Sequence, residues 1–167
     1  MFSIQIDQLY WINKDTDDPD DLCLHGDVVV HIGNERFAED CTVSAAALYL
    51  LKTLSENHVI GEDNQMLPCC GFFLIPNETN DTVSISGCSN GIDWTVIHIK
   101  DGVEIITESG NTTFIGLDEY KRVVFDFVDR VQEYYDHCSP KKVPVDDYEK
   151  RGYIAFWNEW RRRRTFE

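Results

Sequence analysis

The stretch Thr82-Val-Ser-Ile-Ser-Gly-Cys-Ser-Asn-Gly-Ile-Asp-Trp-Thr-Val-Ile-His-Ile-Lys-Asp-Gly-Val-Glu-Ile-Ile-Thr-Glu108 decides the fold class. Apolar and polar residues alternate along it in runs too short for helices, and Asn90-Gly91 and Asp101-Gly102 separate the runs. These dipeptides accept the positive φ of two-residue hairpin turns. The stretch therefore predicts antiparallel strands over Thr82–Cys88, Ile92–Lys100 and Val103–Glu108. With Asn90-Gly91 as a turn, Cys88 faces Asp93 and Gly87 faces Trp94. Alternation then gives Val83, Ile85, Ile92, Trp94 and Val96 to a core face and Ser84, Ser86, Cys88, Asp93 and Thr95 to the other.

Leu67–Ile75 reads as a strand before this stretch and Thr112–Ile115 as one after it, set off by turn chemistry at Pro76-Asn77 and Gly110-Asn111. Nearer the N-terminus, Phe2–Ile12, Gly26–Ile32 and Glu35–Ala38 are strand-like, the last two joined by Gly33-Asn34. A helix is predicted from Thr42 or Ser44 to about Glu56. Its run Ala45–Leu51 is apolar all round, which demands burial against a sheet. In Leu117–Cys138, the residues Tyr120, Val124, Phe127, Val131, Tyr134 and Cys138 recur at spacings of four and three, the stripe of an amphipathic helix. A last helix starts near Asp146-Asp147 and ends in Arg161–Arg164, with each charge at the favourable pole of the helix dipole. The expectation is a single α+β domain of residues 1–167. It is a mostly antiparallel sheet, a meander of about five to seven strands, packed by one buried helix and two C-terminal helices.

An apolar share of 43% suits a chain of 167 residues that buries one core. The charge is unbalanced: 15 Lys and Arg face 30 Asp and Glu, a net charge of −15. A phosphate backbone needs a cationic footprint, so a nucleic-acid partner is disfavoured, the Arg161–Arg164 run notwithstanding. No apolar run reaches membrane-spanning length, and Met1–Asp7 lacks the basic and apolar regions of a secretory signal. A cytoplasmic protein is expected, with no membrane partner.

In such a compartment Cys23, Cys41, Cys69, Cys70, Cys88 and Cys138 remain thiols. On a strand, Cys69 and Cys70 point to opposite faces and do not share an ion, so no metal and no cofactor is expected. Cys88 beside Asp93 has its thiol pKa raised, the opposite of what a catalytic nucleophile needs, and His98 falls on the other face. The loop Asp15–Asp21 has Asp20 and Gly26 where a calcium loop needs Gly and Glu. His25, His31, His58, His98 and His137 never fall at ligand spacing on one helix. No catalytic residue is assigned.

Thr42–Leu48 (TVSAAAL), Leu67–Phe72 (LPCCGF), Gly87–Trp94 (GCSNGIDW), Ser139-Pro-Lys141 and Phe156–Arg161 (FWNEWR) together resemble a family of uncharacterised bacterial proteins, across residues 25–164. The resemblance implies a bacterial origin and one domain, and it supplies no catalytic residues. In size and charge alone the chain also resembles the small acidic immunity proteins that neutralise bacterial toxins.

The favoured reading is a non-enzymatic acidic binding protein of immunity type with a basic protein partner, because a strong negative field speeds encounter with a cationic surface. Its contact residues are expected in the loop Asp15, Asp17, Asp18, Asp20 and Asp21 and on the helix face Asp126, Asp129, Glu133 and Asp136. Two alternatives stand beside it. One is an enzyme or small-ligand binder with a pocket between sheet and helices that uses Cys88, Asp93, Trp94 and His98. The other is a scaffold docking through the aromatic side of the last helix, Tyr153, Phe156, Trp157 and Trp160.

Overall fold

The computed structural model describes residues 1–14, 16–62 and 64–165, and among them are ten strands and three helices. Strands β1 (Phe2–Tyr10), β2 (His25–Ile32) and β3 (Glu35–Thr42) form an antiparallel sheet in that order, with a bulge in β1 between Ile6 and Gln8. Phe2, Ile6, Val28, Val30 and Ile32 are buried, while β3 alternates between half-buried and exposed positions until Cys41 and Thr42 enter the core. β3 thus outruns its predicted end at Ala38 and passes without a loop into α1 (Val43–Lys52). Every residue of α1 from Val43 to Leu51 is buried, as its all-round apolar run requires.

The next segment departs from the hairpin read in the sequence. Its strands are β4 (Leu67–Pro68), β5 (Phe73–Pro76), β6 (Val83–Ser86) and β7 (Gly91–Ile92). β4 pairs with β7 through Leu67↔Ile92, and β5 pairs with β6 through Phe73↔Ser86 and Pro76↔Val83. One register runs through both pairs, so residues 67–92 are a single two-stranded ribbon interrupted in its middle. Its tip closes where Asn77 N–H donates to Thr82 O at 3.1 Å. The Asn77 carboxamide oxygen also accepts from Asp81 N–H at 3.0 Å.

Asn90-Gly91 is therefore not a hairpin turn. Gly91 has φ +142°, and a Cβ there would collide with the Leu67 carbonyl, so glycine is required by close approach of the opposite strand. Trp94 is wholly buried, as its place on the core face requires, but it pairs with Thr107 rather than lying across Gly87, and it meets Phe2 edge-on at 6.2 Å between ring centroids.

A hairpin forms next to the predicted place, but its two-residue turn is Lys100-Asp101, and Gly102 opens the following strand. β8 (Trp94–Ile99), β9 (Gly102–Thr107) and β10 (Thr112–Gly116) make a second three-stranded meander, with Ile99 opposite Gly102. Gly116 leads directly into α2 (Leu117–His137), which buries Tyr120, Val124, Phe127, Val128, Val131 and Tyr135. Tyr135 takes the place expected of Tyr134. Its hydroxyl lies 2.7 Å from Ser44 Oγ and donates to the Leu22 carbonyl at 2.7 Å, so the buried phenol is satisfied.

Helix α3 (Asp147–Arg164) is capped by Asp146, whose carboxylate accepts from Tyr148 and Glu149 N–H at 2.9 and 3.0 Å. Its aromatic side lies against the body: Tyr153, Phe156 and Trp160 are buried in the common core, and half-buried Trp157 meets the Tyr135 ring edge-on at 5.0 Å. The surface offered by the scaffold reading is thus occupied within the molecule. Strands, α1, α2 and α3 all contribute to one contiguous hydrophobic cluster.

Candidate functional site

The interruption of the ribbon assembles chemistry. Gly71 takes φ +103°, and a Cβ on it would collide with Gly87 Cα, so two glycines let the strands touch where side chains would hold them apart. The ladder is replaced by Cys69 N–H donating to Asn90 O at 3.1 Å and Cys88 N–H donating to Cys70 O at 3.3 Å. Freed from strand alternation, Cys69 and Cys70 turn to the same side. Their sulfurs and that of Cys88 all lie within 4.8 Å of one another. Cys69 and Cys88 are half-buried and Cys70 is exposed. The expectation that Cys69 and Cys70 face opposite ways fails because their backbone is not a strand.

The Cys69 and Cys88 sulfurs are 2.7 Å apart. A thiol donated by Cys69, then one by Cys70, brings the Cys88 thiol down to about 7. The partner pays the reciprocal cost: as the proton donor, Cys69 is pushed up to about 12. This reverses the raised Cys88 pKa expected from Asp93. Asp93 is turned away. Its Oδ1 lies 2.7 Å from His58 Nε2 and accepts from Met66 and Trp94 N–H at 3.1 and 3.0 Å.

The four residues of the alternative pocket do not converge. Cys88 belongs to the thiol group, Asp93 to the His58 pair and Trp94 to the core. The His98 ring donates to the Thr53 carbonyl at 2.9 Å. A cavity of about 170 Å³ does lie between α1 and β6, lined by Tyr49, Lys52, Glu56, His58, Asn64 and Ser84 among others. It contains none of those four residues and falls short of the usual volume of a small-molecule site.

The acidic candidates divide. Asp15 lies outside the described residues. Asp17 accepts from Ser139 N–H and from Lys141 Nζ at 2.9 Å, which holds its carboxyl below the usual range. Lys141 also donates to the Asp18 carbonyl and sits 3.4 Å over the Trp11 ring. Asp20 pairs with Lys142 at 3.0 Å, and Asp21 accepts from Ile12 and Cys23 N–H. The loop is a strap tied to the 139–142 connector, so its charges are partly used within the molecule.

On α2, Asp126, Asp129, Glu133 and Asp136 are all exposed, as read from the sequence. Asp129 holds Arg164 with two hydrogen bonds of 2.6 and 2.7 Å. Among the described residues no ion pair is formed by Asp126, Glu133 or Asp136.

Two features escaped the sequence reading. Fully buried Glu159 accepts from Arg163 Nε at 2.7 Å and Val83 N–H at 2.8 Å, with Lys52 Nζ at 3.7 Å, and so ties α3 to the ribbon and α1. The arginine run is therefore not a free tail, because Arg163 is buried too. The spacing of four between Glu159 and Arg163 was the available signal. The second feature is the outer face of the N-terminal sheet, where Asp27 lies directly opposite Asp40 and a shallow depression is lined by Asp7, Asp27, Arg36, Glu39 and Asp40 among others. Desolvation and Asp40, which accepts the Tyr10 hydroxyl proton, raise the Tyr10 pKa. Alternation along β2 and β3 could have revealed this face.

No family model, curated protein or solved structure matches the chain. The likeness of its motifs to a bacterial family thus rests on those motifs alone. Among the described residues no helix is long and apolar enough to cross a membrane.

Proposed function

We propose that the protein is a non-enzymatic acidic binding protein that recognises a basic protein partner, in the manner of an immunity protein. One observation carries the reading: of the described acidic residues, only Glu159 is fully buried, and it is matched by Arg163 and Lys52. Among the described residues the acidic excess of a chain with net charge −15 is therefore kept near solvent. Such a field raises the encounter rate with a cationic surface and disfavours anionic partners. The contact surface centres on Asp126, Glu133 and Asp136, which form no ion pair among the described residues. The loop acids Asp17, Asp18, Asp20 and Asp21 are secondary because the 139–142 connector already engages them.

The test uses two baits in lysate of the source cell: the intact protein and its Asp126→Lys/Glu133→Lys/Asp136→Lys variant. Proteins retained by the first and lost by the second are expected to be basic, and their recovery should fall as salt is raised. Identical captures by both baits would refute this assignment of the surface.

A further inference from the structure

We propose that Cys69, Cys70 and Cys88 form a three-sulfur site for one soft, thiolate-seeking d10 cation of the Zn(II) or Cu(I) kind. The donor set decides the class. Three sulfurs within 4.8 Å of one another, with the nearby Asp93 carboxylate engaged by His58, favour soft metals over Ca²⁺ or Mg²⁺, which take oxygen ligands.

The spacing suits one ion. Sulfurs sharing a metal at about 2.3 Å stand about 3.8–4.0 Å from each other, the geometry of tetrahedral or trigonal coordination. Cys69 and Cys88, 2.7 Å apart, need to open by about 1 Å, within reach of small side-chain rotations. Exposed Cys70 provides the entry path from solvent.

The backbone is arranged for this result. Adjacent cysteines reach one side only because the ribbon is broken between them and their partner strand. That break depends on Gly71 at positive φ against Gly87. The register on both sides of the break is the same, so each strand contributes the same number of residues to it. The site is independent of the charge-based binding function.

The reduced full-length protein is titrated separately with Zn²⁺, Cd²⁺ as a spectroscopic probe, and Cu(I) held by a competing chelator. Native mass spectrometry counts the bound ions. One equivalent is expected, with thiolate-to-cadmium charge-transfer absorption. Cys69→Ser, Cys70→Ser or Cys88→Ser should each weaken binding by more than about 100-fold, beyond the loss that an outer-shell partner usually causes. Cys23→Ala should leave binding unchanged. Far-ultraviolet circular dichroism on each metal-free variant separates lost ligation from lost folding. Preference between Zn²⁺ and Cu(I) in competition identifies the ion. The proposal is overturned if the reduced protein takes up no ion, or if the triple serine variant, folded, binds as well as the parent.

Discussion

Cys88 and Cys41 are both unpaired cysteines in sequence, yet their surroundings give them opposite chemistry. Cys88 has its thiol lowered to about 7 by the hydrogen bond from Cys69, whereas burial raises Cys41 far above the ordinary range. Iodoacetamide near neutral pH should therefore modify Cys88 first and leave Cys41 untouched until the protein unfolds. Peptide mapping reads the order, and equal rates at the two positions would show that Cys41 is not shielded as described.

The sign of the linkage follows from the lowered value. Because the Cys88 pKa falls from 9.0 to about 7 on folding, its contribution to stability is complete above 9.0 and vanishes as the pH drops through 7. None of this was legible in the sequence. The three sulfurs meet through a contact between Gly71 and Gly87, and no local pattern announces that two distant glycines will touch.

At the level of elements, local patterns served well where one segment sets its own structure. The stripe of α2 and the acid-to-arginine polarity of α3 gave helices close to their predicted bounds, and the apolar run of α1 gave a helix that ends at Lys52, short of the predicted Glu56. The hairpin signalled by Asp101-Gly102 also formed, with its turn one residue earlier, at Lys100-Asp101. Asn90-Gly91 misled because an equally local signal was overruled by pairing across the ribbon, where Phe73–Pro76 take the ladder positions expected of the following strand and Leu67 pairs with Ile92.

Two substitutions test these elements. Gly71→Ala places a Cβ in a backbone region that L-residues avoid and against Gly87. It should destabilise by about 1–3 kcal/mol and abolish the preferential alkylation of Cys88. Glu159→Ala leaves the Val83 N–H without its acceptor and Arg163 with Glu56 and Ser55 alone, and should cost about 1–3 kcal/mol in denaturant unfolding. A loss below about 1 kcal/mol, the level of an exposed pair, would mean that Glu159 does not bind α3 to the ribbon.

Over the whole molecule, charge was the property most fully legible in the composition, because acids rarely lose contact with solvent. Which acids remain available was not legible. The strap from Asp17 to Asp21 is engaged by Lys141 and Lys142, more than a hundred residues along the chain, and Asp129 by Arg164. Pairing redistributes the field toward α2 and the outer face of the N-terminal sheet without changing its sum.

On the proposed function, this field drives recognition. Stopped-flow association with the captured partner across a range of ionic strength is the decisive measurement. The intact protein should associate at least about tenfold faster at low salt than at high salt, and Asp126→Lys/Glu133→Lys/Asp136→Lys should be slower with a flatter salt dependence. Equal rates for the two proteins at every ionic strength would contradict the claim.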